Sequence, residues 1–265
     1  MRLFRSVVHV SALALCVHAA FAPAQAATTA PAAKAQKAQK APKRYTIEQF
    51  MATTSVTGAS FSKDEKNILF SSNASGIFNA YTIPVGGGKP VPLTRSTTDS
   101  TYAIGYFYND DRILFTRDSG GNERNHVFVR ELDGSERDLT PGDKHRAMFA
   151  GWRPDGSGFY VATNERDPKF FDLYLYDAKD YKRSVVYQND SGMNVSAISR
   201  DGKWLAFDKP NTTADSDVYL YNVATREMKH ITPHKGTASH SASTFDPESK
   251  RLLFTTNDGG EFTRI

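Results

Sequence analysis

The chain has 265 residues, which is enough for one large domain or two small ones. Hydrophobic residues make up 39% of the sequence and charged residues 23%, a globular balance that excludes a wholly disordered chain. The formal net charge of +4 arises in residues 1–43, which hold six basic and no acidic side chains, whereas residues 44–265 hold 27 basic and 29 acidic ones. Because nucleic-acid binders carry their basic excess on the folded body, we expect no nucleic acid as a partner.

The first 26 residues have the pattern of a secretory signal peptide. A positively charged start precedes a mostly apolar run over residues 6–22. Ala24 and Ala26 then place small residues at positions −3 and −1 of a cleavage site. The run is too short and too polar to be a good membrane anchor. We therefore expect cleavage after Ala26, a periplasmic or secreted location and no membrane association once the signal is removed.

The only cysteine, Cys16, lies inside this signal, so the mature chain would have neither cysteine chemistry nor a Cys-based zinc site. Residues 27–43 contain no large apolar side chain and are predicted to form a flexible Ala/Lys/Gln/Pro linker. Thr46 and Gln49 have the spacing of a capping box, which predicts that a single short helix starts at this point.

Residues 44–265 repeat with a period of about 46 residues. Five apolar segments, most of them preceded by a polar turn, end at intervals of 45, 46, 46 and 47 residues. The segments end at Phe70, Phe115, Val161, Phe207 and Phe254. The sequence DLYLYD at 172–177 recurs as DVYLYN at 217–222, and a Leu-Thr or Ile-Thr pair follows the same period at 93–94, 139–140 and 231–232. Three markers with one period make chance repetition a poor explanation.

A repeat of this length with four short strands is typical of a β-propeller blade. Its units alternate at period two and are rich in Tyr, Val, Phe and Thr, which disfavours a solenoid of helices. We therefore predict an all-β fold, a β-propeller with four complete four-stranded blades and part of a fifth. The complete blades should end near residues 94, 140, 187 and 232. Since such a ring is incomplete, we expect the chain to be a truncation or a piece of a longer sequence.

Two stretches are more specific than the blade turns. Residues 117–129 (RDSGGNERNHVFV) and 164–174 (NERDPKFFDLY) resemble consecutive blades of the prolyl oligopeptidase family of serine peptidases. The signal, the linker and residues 45–50 (YTIEQF) are similar to the start of its secreted dipeptidyl- and acylaminoacyl-peptidase-like branch. The resemblance covers about residues 44–265. It implies an N-terminal propeller joined to a C-terminal α/β-hydrolase domain that carries Ser, Asp and His in that order.

The sequence has no Gly-x-Ser-x-Gly elbow in a strand–turn–helix setting, so no catalytic residue is carried over. We expect this chain to be inactive alone and to need no cofactor. The predicted function is the substrate-gating propeller portion of an exported serine peptidase that acts on short peptides, with a missing hydrolase domain as its partner. The alternative is a periplasmic Tol-like propeller that binds a protein partner and has no enzymatic activity, because the blade turns are also similar to those of the Tol-system protein.

Five charged residues are candidates for facing a substrate, namely Arg117, Glu123, Arg124, Glu165 and Arg166. We place them in variable loops between the second and third strands of their blades. In the resembled family, loops at this position face the cavity shared with the catalytic domain. A guanidinium can bind a peptide carboxylate and a carboxylate can bind an ammonium group. The alternative is a solvated loop whose local ion pairs contribute little.

Three histidines, His230, His234 and His240, lie close together in the sequence. Two histidines four residues apart can share the face of a helix and bind a metal. Here Thr232-Pro233 separates them at the end of a repeat, so no helix can run through the segment. We predict a loop between blades and no metal site.

Overall fold

The computed structural model describes residues 42–265. The predicted signal peptide, the cleavage site after Ala26 and residues 27–41 of the predicted linker lie outside this range. A short helix, α1 (Ile47–Met51), stands where the capping-box spacing places one. Within residues 42–265, no helix is long and apolar enough to cross a membrane.

Residues 48–265 form one unit that contains eighteen strands in five antiparallel sheets. The first sheet contains β1 (Val56–Phe61), β2 (Asn67–Ser72), β3 (Asn79–Pro84) and β4 (Val91–Pro92). The second contains β5 (Thr101–Tyr106), β6 (Ile113–Arg117), β7 (His126–Arg130) and β8 (Glu136–Asp138). The third contains β9 (Ala147–Trp152), β10 (Gly158–Asp167), β11 (Phe170–Asp177) and β12 (Arg183–Tyr187). The fourth contains β13 (Asn194–Ile198), β14 (Trp204–Pro210), β15 (Ser216–Asn222) and β16 (Met228–His230).

The fifth sheet has two strands, β17 (His240–Phe245) and β18 (Leu252–Thr256), and an isolated bridge joins Thr256 to Arg264. In each four-stranded sheet the strands lie side by side in sequence order. This arrangement confirms the predicted all-β propeller fold with four complete blades and part of a fifth. The sheets of residues 48–265 do not close into a ring.

A hydrophobic cluster fills each interface between consecutive sheets. The second strand of an inner sheet sends alternate side chains to opposite neighbours, as its period of two requires. In β6, Phe115 packs toward the first sheet and Leu114 toward the third, and both are fully buried. In β10, Phe159 and Tyr160 divide in the same way between the second and fourth sheets. The inner sheets are therefore buried on both faces.

The threonine marker of the repeat has a structural cause. Three buried threonine hydroxyls accept a backbone N–H from the third strand of their own sheet, which fixes the end of the outer strand. The pairs are Ala80 to Thr94 at 2.9 Å, Val127 to Thr140 at 3.0 Å and Val218 to Thr232 at 2.8 Å.

The polar turns of the repeat also have a common structure. The Ser62 hydroxyl donates to Asp64 at 2.8 Å, and the Ser199 hydroxyl donates to Asp201 at 2.7 Å. These hydrogen bonds lower the pKa of both aspartates. The turns therefore join the first and second strands of their sheets with their own local hydrogen bonds.

Candidate functional site

Two kinds of connection meet at one end of the sheets, which we call the loop end. They are the hairpins between second and third strands and the links from each sheet to the next. In each sheet the strands lie in sequence order and alternate in direction, so the second and fourth strands end on the same side. The hairpin that follows the second strand and the link that follows the fourth strand therefore lie together. The Gly120 N–H in one hairpin donates to Asp99 of a link at 2.7 Å, which shows this proximity directly.

A polar residue near the start of each third strand holds the loops at this end. In sheet order these residues are Asn79, His126, Asp172 and Asp217. The Asn79 side-chain oxygen accepts the Ser96 N–H at 2.8 Å and the Thr94 hydroxyl at 2.9 Å. The other three positions carry ionisable side chains, so the repeat places an imidazole and two carboxyl groups at the loop end.

A cleft of about 320 Å³ lies at the loop end of the second sheet. Its walls come from the end of β6, the 118–125 loop, the start of β7 and the link to the third sheet. Arg117 ends β6 and lies opposite His126 in the strand register. These two residues and Arg124 line the cleft, whose volume is within the range of small-ligand sites.

Packing and pairing hold the Arg117 side chain in place. Its guanidinium pairs with Glu136 and lies 5.0 Å and 4.9 Å from the ring centroids of Phe115 and Phe128. The two rings are stacked, with centroids 5.2 Å apart. The buried Nε of Arg117 has no hydrogen-bond partner among residues 42–265. Arg117 is thus a fixed cation at the wall of the cleft.

The 118–125 loop is ordered by its own hydrogen bonds. Asp118 accepts the Glu123 N–H at 3.0 Å, and Asn122 accepts the Arg124 N–H at 2.9 Å. Gly120 has a φ of 62°, a left-handed conformation that glycine adopts without strain. The side chains of Glu123 and Arg124 are exposed on this ordered loop.

Arg124 and His126 contact the connection between the second and third sheets. Arg124 Nη1 donates to the Asp143 carbonyl at 2.6 Å. His126 Nδ1 lies 2.7 Å from an Asp138 carboxylate oxygen, and its ring stacks on His145 with centroids 5.2 Å apart. The cleft therefore presents guanidinium, imidazole and carboxylate groups, which suit the charged ends of a peptide. Sequence analysis did not select His126, although its position opposite Arg117 across the hairpin could have identified it.

Glu165 and Arg166 lie within β10, so the prediction that they occupy a variable loop is wrong. It is also wrong for Arg117, which is the last residue of β6. Asp167 pairs with Phe170, and only Pro168 and Lys169 connect the two strands. Proline is suited to such a turn because its φ is fixed. The hairpin is therefore tight, and the strand continues through both charged residues.

Both of these charges have partners inside the third sheet. Arg166 donates to the Asp172 carboxylate at 2.6 and 2.9 Å, and hydrogen bonding to Asp172 raises the pKa of Arg166. Asp172 is 1% exposed and also accepts the Asn189 N–H at 2.7 Å. Glu165 pairs with Arg183 at 2.7 Å. Contact of Glu165 and Arg166 with a substrate stays a prediction.

Of the three histidines singled out in the sequence, His230 and His234 lie at the loop end of the fourth sheet, and His240 begins the first strand of the fifth. His230 Nε2 lies 2.8 Å from an Asp217 oxygen. His234 donates to the Thr232 carbonyl at 3.0 Å and to Asp215 at 2.9 Å, and these two hydrogen bonds raise the pKa of His234. Within residues 42–265, no group of three or more His, Cys, Asp or Glu side chains is placed to hold a metal ion.

His240, at the start of β17, is in the opposite electrostatic situation. It is 4% exposed, and its ring centroid lies 4.9 Å from that of His234. Neither ring nitrogen has a hydrogen-bond partner in the described part of the chain. Burial, and then the charge on His234, lowers the pKa of His240. The neutral form of this side chain is therefore favoured between the fourth and fifth sheets.

The two histidines should give the chain pH-dependent stability with opposite signs. His234, with its raised pKa, stabilises the fold below pH 6.5, and this contribution fades as the pH rises through its folded pKa. His240, with its lowered pKa, contributes above pH 6.5, and its contribution is lost as the pH falls toward its folded pKa. We expect His240→Phe to reduce the loss of stability between pH 7 and pH 5. His234→Gln should destabilise the chain more at pH 5 than at pH 8.

Thermal melts of both variants and the native chain at pH 5, 6, 7 and 8 check this prediction. Each variant is the control for the other. The stability lost in His234→Gln should grow as the pH falls, whereas His240→Phe should lose less stability than the native chain between pH 7 and pH 5. Curves of stability against pH that run parallel for all three proteins would contradict it.

Comparison with known proteins gives a consistent set of relatives, although no family model matches the sequence. The chain is 27% identical over 203 residues to dipeptidyl aminopeptidase BIII of Pseudoxanthomonas mexicana, which covers 75% of this chain and 29% of that protein. A solved structure from a study of two prolyl endopeptidases aligns with a TM-score of 0.60 at 18% identity, over 80% of this chain and 34% of that one. The fold and the sequence match resemble a propeller of the prolyl oligopeptidase family. The resemblance inferred from the propeller's second and third blades is confirmed.

The propeller is also similar to a putative TolB of Agrobacterium tumefaciens, with a TM-score of 0.50 and 18% identity, over 78% of this chain and 72% of that one. At this level of identity the likeness concerns the fold alone. The chain spans 29% of the length of the dipeptidyl aminopeptidase that it matches.

Proposed function

We propose that this propeller binds the two charged ends of a short peptide at the second-sheet cleft. In this proposal it is the substrate-gating part of an exported serine peptidase, located in the periplasm or secreted. The chemistry of peptide hydrolysis would belong to an α/β-hydrolase domain, whose nucleophile elbow is not found in these 265 residues. The match to a protein named as a dipeptidyl aminopeptidase supports a peptide ligand.

The observation that carries the proposal is the pairing of one fixed and one exposed cation at the cleft. Arg117 is held by Glu136 and two aromatic rings, while Arg124 is exposed above the same cleft. The neighbouring Glu123 is also exposed. Arg124 offers donors to a peptide carboxylate, and Glu123 offers an acceptor to a peptide ammonium group. Of the five sequence candidates, Arg117, Glu165 and Arg166 form ion pairs within their own sheets, whereas Glu123 and Arg124 are exposed on the 118–125 loop.

Replacing Arg124 with alanine should weaken binding of a short peptide with a free carboxyl terminus about tenfold, because one charge-assisted contact is lost. The same substitution should leave the affinity for the C-terminally amidated peptide unchanged. Glu123→Ala should weaken binding of the peptide with a free amino terminus and leave the affinity for its N-acetylated form unchanged. Isothermal titration of the full chain with the three peptides measures these differences, and the peptides should be recovered intact.

Arg200→Ala is the matched control, because Arg200 is an exposed arginine in the turn between β13 and β14. This turn is at the end of its sheet opposite the loop end, so peptide affinity should not change. Absence of saturable peptide binding to the native chain would contradict the proposal. So would an equal loss of affinity for all three peptides in the Arg124 variant, and either result would favour a protein-binding scaffold.

A further inference from the structure

A groove of about 470 Å³ lies between the third and fourth sheets, and we call it the inner groove. Its walls are the first strands of these sheets, β9 and β13, together with Ala162 of β10 and Phe171 of β11. Both sheets are inner ones that pack against a further sheet on their other side. Most of the described residues that line the groove are apolar, and Arg146 alone among them is charged. The volume is within the range of small-ligand sites.

The groove exists because the third sheet lacks a side chain that ties other sheets to their successors. One residue after the apolar segment of the first sheet, the Ser71 hydroxyl accepts the Ala103 N–H of the second sheet at 2.8 Å. At the same place in the fourth sheet, Asp208 accepts the Ala242 N–H of the fifth sheet at 2.8 Å. The corresponding residue of the third sheet is Ala162, whose methyl group cannot accept a hydrogen bond. Its small size and the missing tie leave space between β9 and β13.

Arg146 occupies a position at which two other sheets have serine. In three sheets the residue before the first strand donates its backbone N–H to an asparagine side chain near the end of the second strand. The pairs are Ser55 to Asn73 at 2.7 Å, Arg146 to Asn164 at 2.8 Å and Ser239 to Asn257 at 2.7 Å. Because serine makes the same backbone hydrogen bond, the fold does not require an arginine side chain at position 146.

The guanidinium of Arg146 is positioned at the groove and open to an anion. It lies 5.2 Å from the ring centroid of Phe171, which also lines the groove, and the arginine is exposed. The ion pairs found among residues 42–265 do not include Arg146. A planar guanidinium binds a carboxylate through two parallel N–H donors. The groove therefore combines apolar walls with one cation that suits a carboxylate.

The two strands that form the walls disfavour a peptide bound as an added β-strand. Within residues 48–265, β9 and β13 are each paired along one edge only. Both strands are bulged, at Ala150 and at Ser196, and both of these residues line the groove. A bulge disrupts the regular hydrogen-bond ladder that an added strand needs. The walls therefore favour a ligand that makes apolar contacts rather than backbone hydrogen bonds.

We propose that the inner groove binds an aliphatic carboxylate, with its head group on Arg146 and its hydrocarbon chain along β9 and β13. The chain would bury apolar surface against Met148, Phe149 and Val195, which line the groove. The five residues of β13 span roughly 13 Å at about 3.3 Å per residue, so the groove suits a chain of medium length. The site uses none of the residues that line the second-sheet cleft.

Isothermal titration of the full chain with decanoate, below the concentration at which it forms micelles, tests the proposal. We expect saturable binding to the native chain and about tenfold weaker binding to Arg146→Ser, because one charge-assisted contact is lost. Serine retains the backbone hydrogen bond to Asn164, as it does in the other sheets. Decanol should bind the native chain and the Arg146→Ser variant equally, and acetate should show saturable binding to neither.

Ala162→Leu fills the groove and should abolish decanoate binding. Circular dichroism checks that it is folded, and Ala150→Leu, at an exposed lining residue, replaces it if the β-sheet signal is lost. Arg200→Ser is the matched control, since Arg200 is exposed in the turn between β13 and β14, and it should bind decanoate as the native chain does.

Four results would overturn the proposal. They are a native chain without saturable decanoate binding, unchanged affinity in Arg146→Ser or in the folded groove-filling variant, and equal losses of affinity for decanoate and decanol in Arg146→Ser. The fourth is displacement of bound decanoate by the short peptide with free ends, which would assign the groove to a peptide instead.

Discussion

Replacing Phe159 with alanine should lower the free energy of unfolding by about 4 kcal/mol, the largest effect that we expect from any single substitution. Phe159 is fully buried between the second and third sheets. Its ring contacts those of Phe107, Trp152 and Tyr176, with centroids 5.8, 5.5 and 5.4 Å away. A cavity at this point removes contacts on both sides of a sheet interface, and the rigid strands can only partly close it.

Chemical denaturation of the native and variant chains measures this difference. Phe262→Ala is the matched control, because Phe262 is 79% exposed and the same atoms are removed. We expect the control to stay within about 0.5 kcal/mol of the native chain. A loss below about 1 kcal/mol for Phe159→Ala would show that this interface between sheets is not a packed core.

Replacing Asp172 with alanine should cost about 3 kcal/mol, because a buried network loses its acceptor. The substitution removes the acceptor of two hydrogen bonds from Arg166 and leaves the Asn189 N–H without its partner. The native carboxylate joins β10, β11 and the link to the fourth sheet, so the loss should destabilise the loop end of the third sheet.

Asp190→Ala provides a control with the same substitution and the same cationic partner. Asp190 pairs with Arg166 at 3.1 Å, but its side chain is 67% exposed, whereas that of Asp172 is 2% exposed. Exposed ion pairs are screened by water, so we expect little change in stability. Equal effects of the two substitutions in urea titrations would refute the assignment of Asp172 as the centre of this network.

The sheets could be predicted from the sequence because burial of both sheet faces determines the apolar repeat as well as the fold. Each inner sheet must bury both faces, so Leu114 and Phe115, or Phe159 and Tyr160, are apolar at adjacent positions. The same constraint repeats in every unit and gives a period that can be read without a structure. The buried Thr94, Thr140 and Thr232 hydroxyls add a second signal, since each makes the same hydrogen bond.

The site was less predictable because side-chain partners depend on strand register and hairpin length. A period of about 46 residues places Arg117 and Arg166 near corresponding positions, yet Pro168 and Lys169 close the third sheet with a tight hairpin. That hairpin places Arg166 in a salt bridge with the buried Asp172. In the second sheet the longer 118–125 loop keeps Arg124 exposed. The composition of the two segments does not distinguish these outcomes.

Amide hydrogen exchange of the full chain, with and without a saturating short peptide, tests the central claim most directly. The claim is that the second-sheet cleft of this propeller binds peptides. Our account predicts slower exchange in residues 117–126 and 138–145, which form the cleft walls, and unchanged exchange in the turn at residues 199–203 of the opposite end. Protection that is absent from the cleft, or that is found only at the opposite end, would contradict it.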